Sequence, residues 1–343
     1  MPETSRSHTR PPVSAVMTVL DERRHLEGAV RAILAQDYDG ELEVVLALGP
    51  SRDGTERVAA ALAAQDPRVT VVRNPHPRGA TPVGLNAAIA VARHDIVVRV
   101  DGHAILPRDY VEIAVTTLER TGADNVGGIM AAEGRSAFER AVARAMTTRL
   151  GVGNAPFHTG GSEGPADSVY LGVFRRSALE RVGGYDEAYT RAQDWELNFR
   201  IRTTGGTVWF QPRLQVSYRP RSTPRALARQ YFHYGRWRRV IVRRHPETAS
   251  ARYLAPPLAV LGVVGGAALG AVGVRAAYLA PGAYLMLVLG GAARNARGLD
   301  PAAAAALPLV YTTMHMAWGA GFLTSPRALA DTVDERQLAE QEA

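Results

Sequence analysis

At 343 residues the chain is long enough for one large domain with an appendage, or for two domains, and at 46% hydrophobic and 21% charged residues it is neither disordered nor fibrous. It has no cysteine, which excludes disulfides, thiolate metal sites and a cysteine nucleophile. A net charge of +7 suits nucleic acid, an anionic membrane or phosphorylated ligands. Its distribution decides among them: arginines crowd between Arg219 and Arg252, directly before an apolar C-terminal third. A basic segment beside hydrophobic spans reads as a cytoplasmic membrane flank. With no recognisable nucleic-acid motif, nucleic acid is not an expected partner.

Residues 1–12 are polar, lack the apolar core of a signal peptide and read as a loose tail. Val13–Leu20 is a β-branched run suited to a buried parallel strand. Leu26, Val30, Ile33 and Leu34 then give a helix one apolar face, ended by Gly40. Glu43–Leu48 predicts a second strand, closed by the turn at Gly49–Thr55, with a helix over Glu56–Ala64. Val69–Val72 predicts a third strand, Asn74–Thr81 a loop, Val83–Ala92 a helix and Ile96–Val100 a fourth strand. Strands alternating with helices imply a mostly parallel sheet covered on both faces, with ligands at the carboxyl ends of the strands. Glu22, Asp53 and Asp101 fall at such ends.

The middle is less regular. Helices are expected at Tyr110–Leu118, Phe138–Leu150, Ser177–Val182 and Asp194–Thr203, and strands at Val169–Phe174, Val208–Phe210 and Leu214–Tyr218. Gly151–Gly164 reads as loop, and its lone His158 as a structural side chain or part of an acceptor loop. Three uncharged stretches follow at Leu254–Gly273, Ala276–Ala293 and Ala302–Leu323, the first about long enough to cross a bilayer. The expected divisions are a tail at 1–12, a catalytic domain at 13–240, a basic juxtamembrane segment at 241–253, a membrane region of two or three helices at 254–323 and a polar tail at 324–343.

The segment Arg99-Val100-Asp101-Gly102-His103 sets an acid and an imidazole two residues apart at a strand end. Residues i and i+2 of an extended chain point the same way. Carboxylate and imidazole are both ligands for Mn²⁺-like ions, and a divalent ion there would neutralise a diphosphate. The same two residue types also form turns.

Val13–Leu20, Ser51–Thr55, Asn86, Asp101–His103, Arg175–Asp186 and Asp194–Trp195 together resemble the family 2 glycosyltransferases, which have the GT-A fold. The resemblance covers roughly residues 13 to 240, and its best local match runs from Phe174 to Asp186. It implies an α/β, GT-A nucleotide-sugar-binding fold with C-terminal transmembrane helices. In such enzymes the matched segment precedes the catalytic acid, and the next acid here is Asp194. Its implied role is general base in a single inverting displacement; an Asp there also suits a helix N-cap. The family's usual Glu-Asp is Gln193-Asp194 here, and Gln193 and Trp195 are expected to border the substrate. Asp101 is expected at the ribose or at a divalent metal, Mn²⁺ or Mg²⁺. His103 replaces the second acid of the family's Asp-x-Asp and is the second expected metal ligand. Glu22 is expected at the nucleoside or as a helix-dipole charge, and Asp53 at the donor or as a turn residue. Leu48 stands where the family often has the acid that meets uracil, so another group reads the base or the donor is not a uridine nucleotide. Arg219 and Arg221 are expected to grip a phosphate or to belong to the membrane flank.

The apolar tail and Gln230–Trp237 resemble the branch with succinoglycan-type exopolysaccharide glucosyltransferases. This branch implies a nucleotide-sugar donor, a UDP-sugar first, and a polyprenyl-linked glycan acceptor. It also implies a multi-pass inner-membrane location with the catalytic domain on the cytoplasmic side. A polyprenyl-phosphate sugar synthase and an inactive transferase-like membrane scaffold are the competing readings. A processive synthase is set aside, because Gln230 and Arg236-Trp237 are too far apart for its compact Gln-x-x-Arg-Trp.

Overall fold

The computed structural model describes residues 10–329; residues 1–9 of the expected N-terminal tail and 330–343 of the expected polar tail lie outside the described residues. The chain forms two compact units, one comprising the chain up to Ala131 with Gly160–Ser217, the other Ala132–Thr159 with the chain from Tyr218 on. Of the expected 13–240 division, 132–159 and 218–240 fall in the second unit.

The elements run β1 (Val13–Val19), α1 (Leu26–Leu34), β2 (Leu42–Leu48), α2 (Thr55–Gln65), β3 (Val69–Arg73), α3 (Thr81–Val91), β4 (Ile96–Arg99), α4 (Tyr110–Thr121) and β5 (Asn125–Ala132). Then come α5 (Ala137–Met146), α6 (Arg149–Val152), α7 (Pro156–Thr159), β6 (Gly164–Pro165), β7 (Tyr170–Arg175), α8 (Arg176–Arg181), α9 (Gln193–Thr203) and β8 (Val208–Tyr218). The chain continues through α10 (Pro224–Arg244), α11 (Ala251–Ala271), α12 (Leu279–Asn295) and α13 (Pro301–Leu323).

The eight strands form one sheet in the order β3-β2-β1-β4-β7-β5-β8-β6. The first four are parallel, as the βα alternation predicts. Beyond β4 the pairing turns antiparallel, β4 with β7, β7 with β5 and β8 with β6. Strand alternation sorts the core into two layers. Ala15, Met17, Val44, Leu46 and Val98 face α1, α2 and α4. Val16, Val45, Ala47 and Val97 face α3, α8 and α9.

Buried Glu43 ties the amino end of this sheet together. Its carboxylate accepts from Ser14 Oγ at 2.6 Å and from the backbone N–H and Nε of Arg93 at 2.7 Å each. Burial opposes its ionisation, yet these donors hold its pKa below the ordinary 4.5. A depressed folded-state pKa stabilises above the ordinary value, and that contribution is lost as pH falls through the depressed one. Glu43→Gln is therefore expected to flatten the acid side of a stability-versus-pH curve below about pH 4.5, read by thermal unfolding, and to leave its slope at neutral pH unchanged.

β5 was not legible as a strand because Gly127 and Gly128 interrupt it. Their lack of a side chain is what lets the neighbouring strands close in: a Cβ on Gly128 would lie 1.8 Å from the Leu214 carbonyl oxygen of β8, and one on Gly127 would lie 2.7 Å from that of Tyr170. The two expected strands at 208–210 and 214–218 are one continuous strand, β8.

In the second unit the basic belt is a helix. Thr223 caps α10 by accepting from Ala226 N–H, and Pro224 occupies the first turn. Its contact with α13 is backbone-close: a Cβ on Gly235 would reach the Trp318 carbonyl oxygen at 2.0 Å, and one on Gly321 would reach that of Phe232 at 2.0 Å. Small residues at helix crossings permit such approach. α13, expected as a third span, buries Leu307, Val310, Tyr311, Met314 and Phe322 within this unit, packed by α5, α10 and α11, while Leu309 and Leu323 are exposed. Asp300 caps it and pairs with Arg140 at 2.8 Å. Two described helical segments, Ala251–Ala271 and Arg275–Asn295, are long and apolar enough to cross a membrane. They carry most of the exposed large apolar side chains, including Leu258, Val264, Leu279 and Met286.

Gly128→Ala is expected to cost about 3 kcal/mol or more, since the clash is with backbone on a neighbouring strand and no rotamer relieves it. Loss of protease resistance in the purified variant checks this.

Candidate active site

In the order β3-β2-β1-β4, β1 lies where the chain reverses its direction of travel across the sheet, and ligand crevices form outside the carboxyl ends at such a point. Three loops meet there. The loop after β1 begins with Asp21, at φ 56°, a left-handed conformation that Asp tolerates better than most residues. It is joined to the loop after β2 by a row of bonds. Asp21 Oδ1 accepts from Arg52 N–H at 2.7 Å, Ser51 Oγ from Asp21 N–H at 3.1 Å and Thr55 Oγ1 from Glu22 N–H at 2.9 Å. Asp53 Oδ2 accepts from Arg23 N–H at 2.9 Å, while its Oδ1 accepts from the N–H and hydroxyl of Thr55. The Thr55 hydroxyl, followed by the backbone donors, holds the Asp53 pKa below the ordinary range. Of the two roles expected for Asp53, these bonds display the turn.

The loop after β4 carries Asp101 and His103. His103 Nδ1 lies 2.7 Å from Glu22 Oε1, which brings the β1 and β4 ends together. A Cβ on Gly102 would stand 3.1 Å from Glu22 Cγ, so a side chain there would make Glu22 shift by a few tenths of an ångström. Among the described residues no three His, Asp or Glu side chains converge as a closed metal cage.

Strand alternation also decides the partner of Asp101. Arg99 and Asp101 share the side of β4 on which Val97 meets α9. Arg99, only 7% exposed, donates from Nη2 to Asp101 Oδ1 at 3.1 Å and from Nη1 to Asp194 Oδ1. Burial works against its charge, but attraction to Asp101 and then to the Tyr185 and Tyr170 hydroxyls raises its pKa above the ordinary arginine value. Asp194 sits in the first turn of α9, where the helix dipole favours an acid, and its side chain remains 41% exposed. The N-cap is not Asp194, as one expectation had it, but Ala192, at φ 62° and without a side-chain bond. Gln193 opens the helix, and the Trp195 ring stacks on Phe199 at 5.4 Å.

The turn before α9 is anchored by Asn86 of α3. Its Oδ1 accepts from Tyr185 N–H at 2.9 Å, and its Nδ2 donates to the Tyr185 carbonyl at 2.8 Å and to Glu187 at 3.1 Å. Gly184, at φ 73°, lies against Asn86. The arginines of the best-matching segment serve the scaffold. Arg175 donates to the carbonyls of Leu118 and Ala123 at the end of α4, and Arg176 to those of Ile89, Ala92 and His94 at the end of α3.

Arg219 and Arg221 belong to the second unit. Arg219 is paired with buried Glu139 at 2.9 Å, in the capping box of α5, and Arg221 is exposed. Glu139 thus answers for Arg219 structurally. Also in the second unit, burial and then the charge of Arg252 push the His158 pKa down to about 3, so this imidazole is neutral near pH 7. Leu48 is half-buried, and its carbonyl accepts from Asn74 N–H at 2.8 Å. The residue that sequence reasoning left unassigned is Arg99, and the available signal was a charge at the end of an apolar strand two residues before Asp101.

The family model for glycosyl transferase family 2 matches residues 14–183. Over 311 residues the chain is 34% identical to the succinoglycan biosynthesis protein ExoA of Rhizobium meliloti (strain 1021), covering 90% of this chain and 92% of that protein. The chain belongs to glycosyl transferase family 2. Among solved structures it is similar to the mannosyltransferase PcManGT from Pyrobaculum calidifontis in complex with GDP-Man and Mn²⁺. The TM-score is 0.55 and the identity 23%, over 96% of this chain and 87% of that one. That likeness supports the GT-A fold.

In this family 2 glycosyltransferase the left-handed Ala192 aims the first turn of α9, and a non-glycine residue there carries about 1 kcal/mol of strain. Ala192→Gly is expected to unfold at or slightly above the wild-type temperature. Ala192→Val, β-branched at the same φ, is expected to lose about 1–2 kcal/mol in thermal unfolding.

Proposed function

We propose that this enzyme transfers one sugar from a nucleotide-sugar donor to a polyprenyl-linked glycan at the membrane, in exopolysaccharide or cell-envelope glycan synthesis, with inversion. The observation that carries the proposal is the pairing of Asp101 and Asp194, from the end of β4 and the start of α9, through one buried guanidinium. Asp101 lies at the strand ends where a nucleoside diphosphate would dock, and exposed Asp194 is within reach of an incoming acceptor. An acceptor hydroxyl attacks the anomeric carbon as Asp194 takes its proton. The bond to the diphosphate breaks, and its electron pair leaves with the phosphate oxygen. A single displacement of this kind inverts the anomeric centre.

Asp101 and His103, with Glu22 behind the imidazole, would hold a divalent cation, Mn²⁺ or Mg²⁺. When bound, it neutralises charge on the leaving diphosphate. Glu22 and the joined β1 and β2 loops would border the nucleoside, and Gln193 and Trp195 the acceptor. A UDP-sugar is the first donor to test. Leu48 in place of an acid favours a second reading, in which the base is not uracil. The relative's part in succinoglycan biosynthesis supports an exopolysaccharide product, and the bound GDP-Man and Mn²⁺ of the fold neighbour support a nucleotide-sugar donor with a metal. Arg-rich α10 preceding apolar α11 supports a cytoplasmic catalytic unit on a multi-pass inner-membrane anchor.

Transfer of labelled sugar from UDP- and GDP-sugars to polyprenyl diphosphate glycans, by detergent-purified protein, tests the proposal. Asp194→Asn is expected to lower kcat by about 10²–10⁴ while donor KM stays within about threefold. Retained turnover by that variant would remove Asp194 as the base. Transfer to a bare polyprenyl phosphate would make the enzyme a polyprenyl-phosphate sugar synthase, and no transfer with any donor would favour the scaffold.

A further inference from the structure

We infer that Arg99 is a positioning residue for the transfer, aiming Asp194 at the acceptor and setting its distance from the donor-side Asp101; the inference rests on the reading of Asp194 as the base. The side chain ends an otherwise apolar strand, and a guanidinium buried there is costly unless paired. It is paired with two acids from different elements, Asp101 and Asp194, one on each η nitrogen. Yet the fork is not arranged for stability alone. Each η nitrogen reaches a different acid, where a purely structural arginine would form a two-point pair with one carboxylate. Arg175 and Arg176 show the structural use in the same chain, where the Nε and an η nitrogen of each reach helix-end carbonyls.

The split geometry has two consequences for the reaction. The bond to Asp194 takes Oδ1 and so leaves Oδ2 for the acceptor's proton. The second η nitrogen is held by Asp101, so the direction of Asp194 is fixed relative to the donor-side acid. A planar fork can do this and a point charge cannot, because only the fork has two donors separated at fixed geometry. The turn through Gly184 and Tyr185, clasped by Asn86, and left-handed Ala192 bring Asp194 to the fork.

The test compares Arg99→Met, Arg99→Lys and Asp194→Asn in the full-length protein. It reads kcat, donor KM, calorimetric binding of UDP and GDP with Mn²⁺, and thermal unfolding. Arg99→Met is expected to lower kcat by about 100-fold, the scale of a misplaced reacting group, and Arg99→Lys by about tenfold, both with nucleotide binding within about threefold of wild type. A kcat within about threefold of wild type in Arg99→Met, or a loss lying wholly in nucleotide binding, overturns the inference. If the Met variant does not fold, Arg99→Lys decides: full kcat in it overturns the need for a fork. If Asp194→Asn abolishes turnover while both Arg99 variants are normal, only this inference fails. If Asp194→Asn retains turnover, the underlying assignment of the base fails instead.

Discussion

A guanidinium at the end of an apolar strand must find anions, and in this molecule it finds two. Arg99 is placed by the same alternation that buries Val97, and Asp101 follows it on the same side. The elements that follow in the chain are arranged to present Asp194 to the other arm of the fork. β7 runs antiparallel beside β4, Arg175 and Arg176 fasten its end to the carbonyls at the ends of α4 and α3, and Asn86 holds the turn that leads into α9. The acids that define the candidate site are therefore not free loop residues. They are the two counter-ions of a buried charge, and removing either would leave that charge undercompensated.

The parallel half of the fold was legible because its signals are local. β-branched runs, apolar helix stripes and the turn at Gly49–Thr55 each read directly from neighbouring residues, and the C-terminal ends of β1, β2 and β4 carry Glu22, Asp53 and Asp101 as expected. β5 escaped because two glycines give it its close fit, and a glycine carries no hydropathy signal. The split of β8 into two expected strands came from Gln211-Pro212-Arg213 at its centre, whose polarity and proline mask a continuous extended run. Arg99 was visible as a letter but not as a partner, since its second acid is 95 residues away. Both carboxylate oxygens of Asp53 accept turn bonds, from the N–H groups of Arg23 and Thr55 and from the Thr55 hydroxyl, a pattern that depends on residues 30 positions away as well as on neighbours.

The second unit shows the limit of composition. Alanine and glycine make 302–323 only mildly apolar, and it is not among the described helices apolar enough to cross a membrane. Within that unit α13 buries one face, including Leu307 and Tyr311, whereas α11 and α12 leave their leucines outside. Which side chains are buried is decided by the neighbours each helix meets. The same applies to the arginines from 219 to 252. Read as a string they are a basic belt. Folded, Arg219 answers Glu139, Arg243 donates to the Ser325 and Pro326 carbonyls, and Arg238 lies over the Tyr253 ring at 3.3 Å, so part of the charge is used inside the unit.

The central claim is that the strand ends around Glu22, Asp101 and His103 receive a nucleoside diphosphate. Calorimetry on the detergent-purified enzyme with UDP, GDP and dTDP, each with and without Mn²⁺, tests it most directly. The account predicts metal-dependent binding of at least one diphosphate, abolished in Asp101→Ala while the protein stays folded. Binding that survives Asp101→Ala, or no binding of any diphosphate by folded wild-type protein, would contradict it.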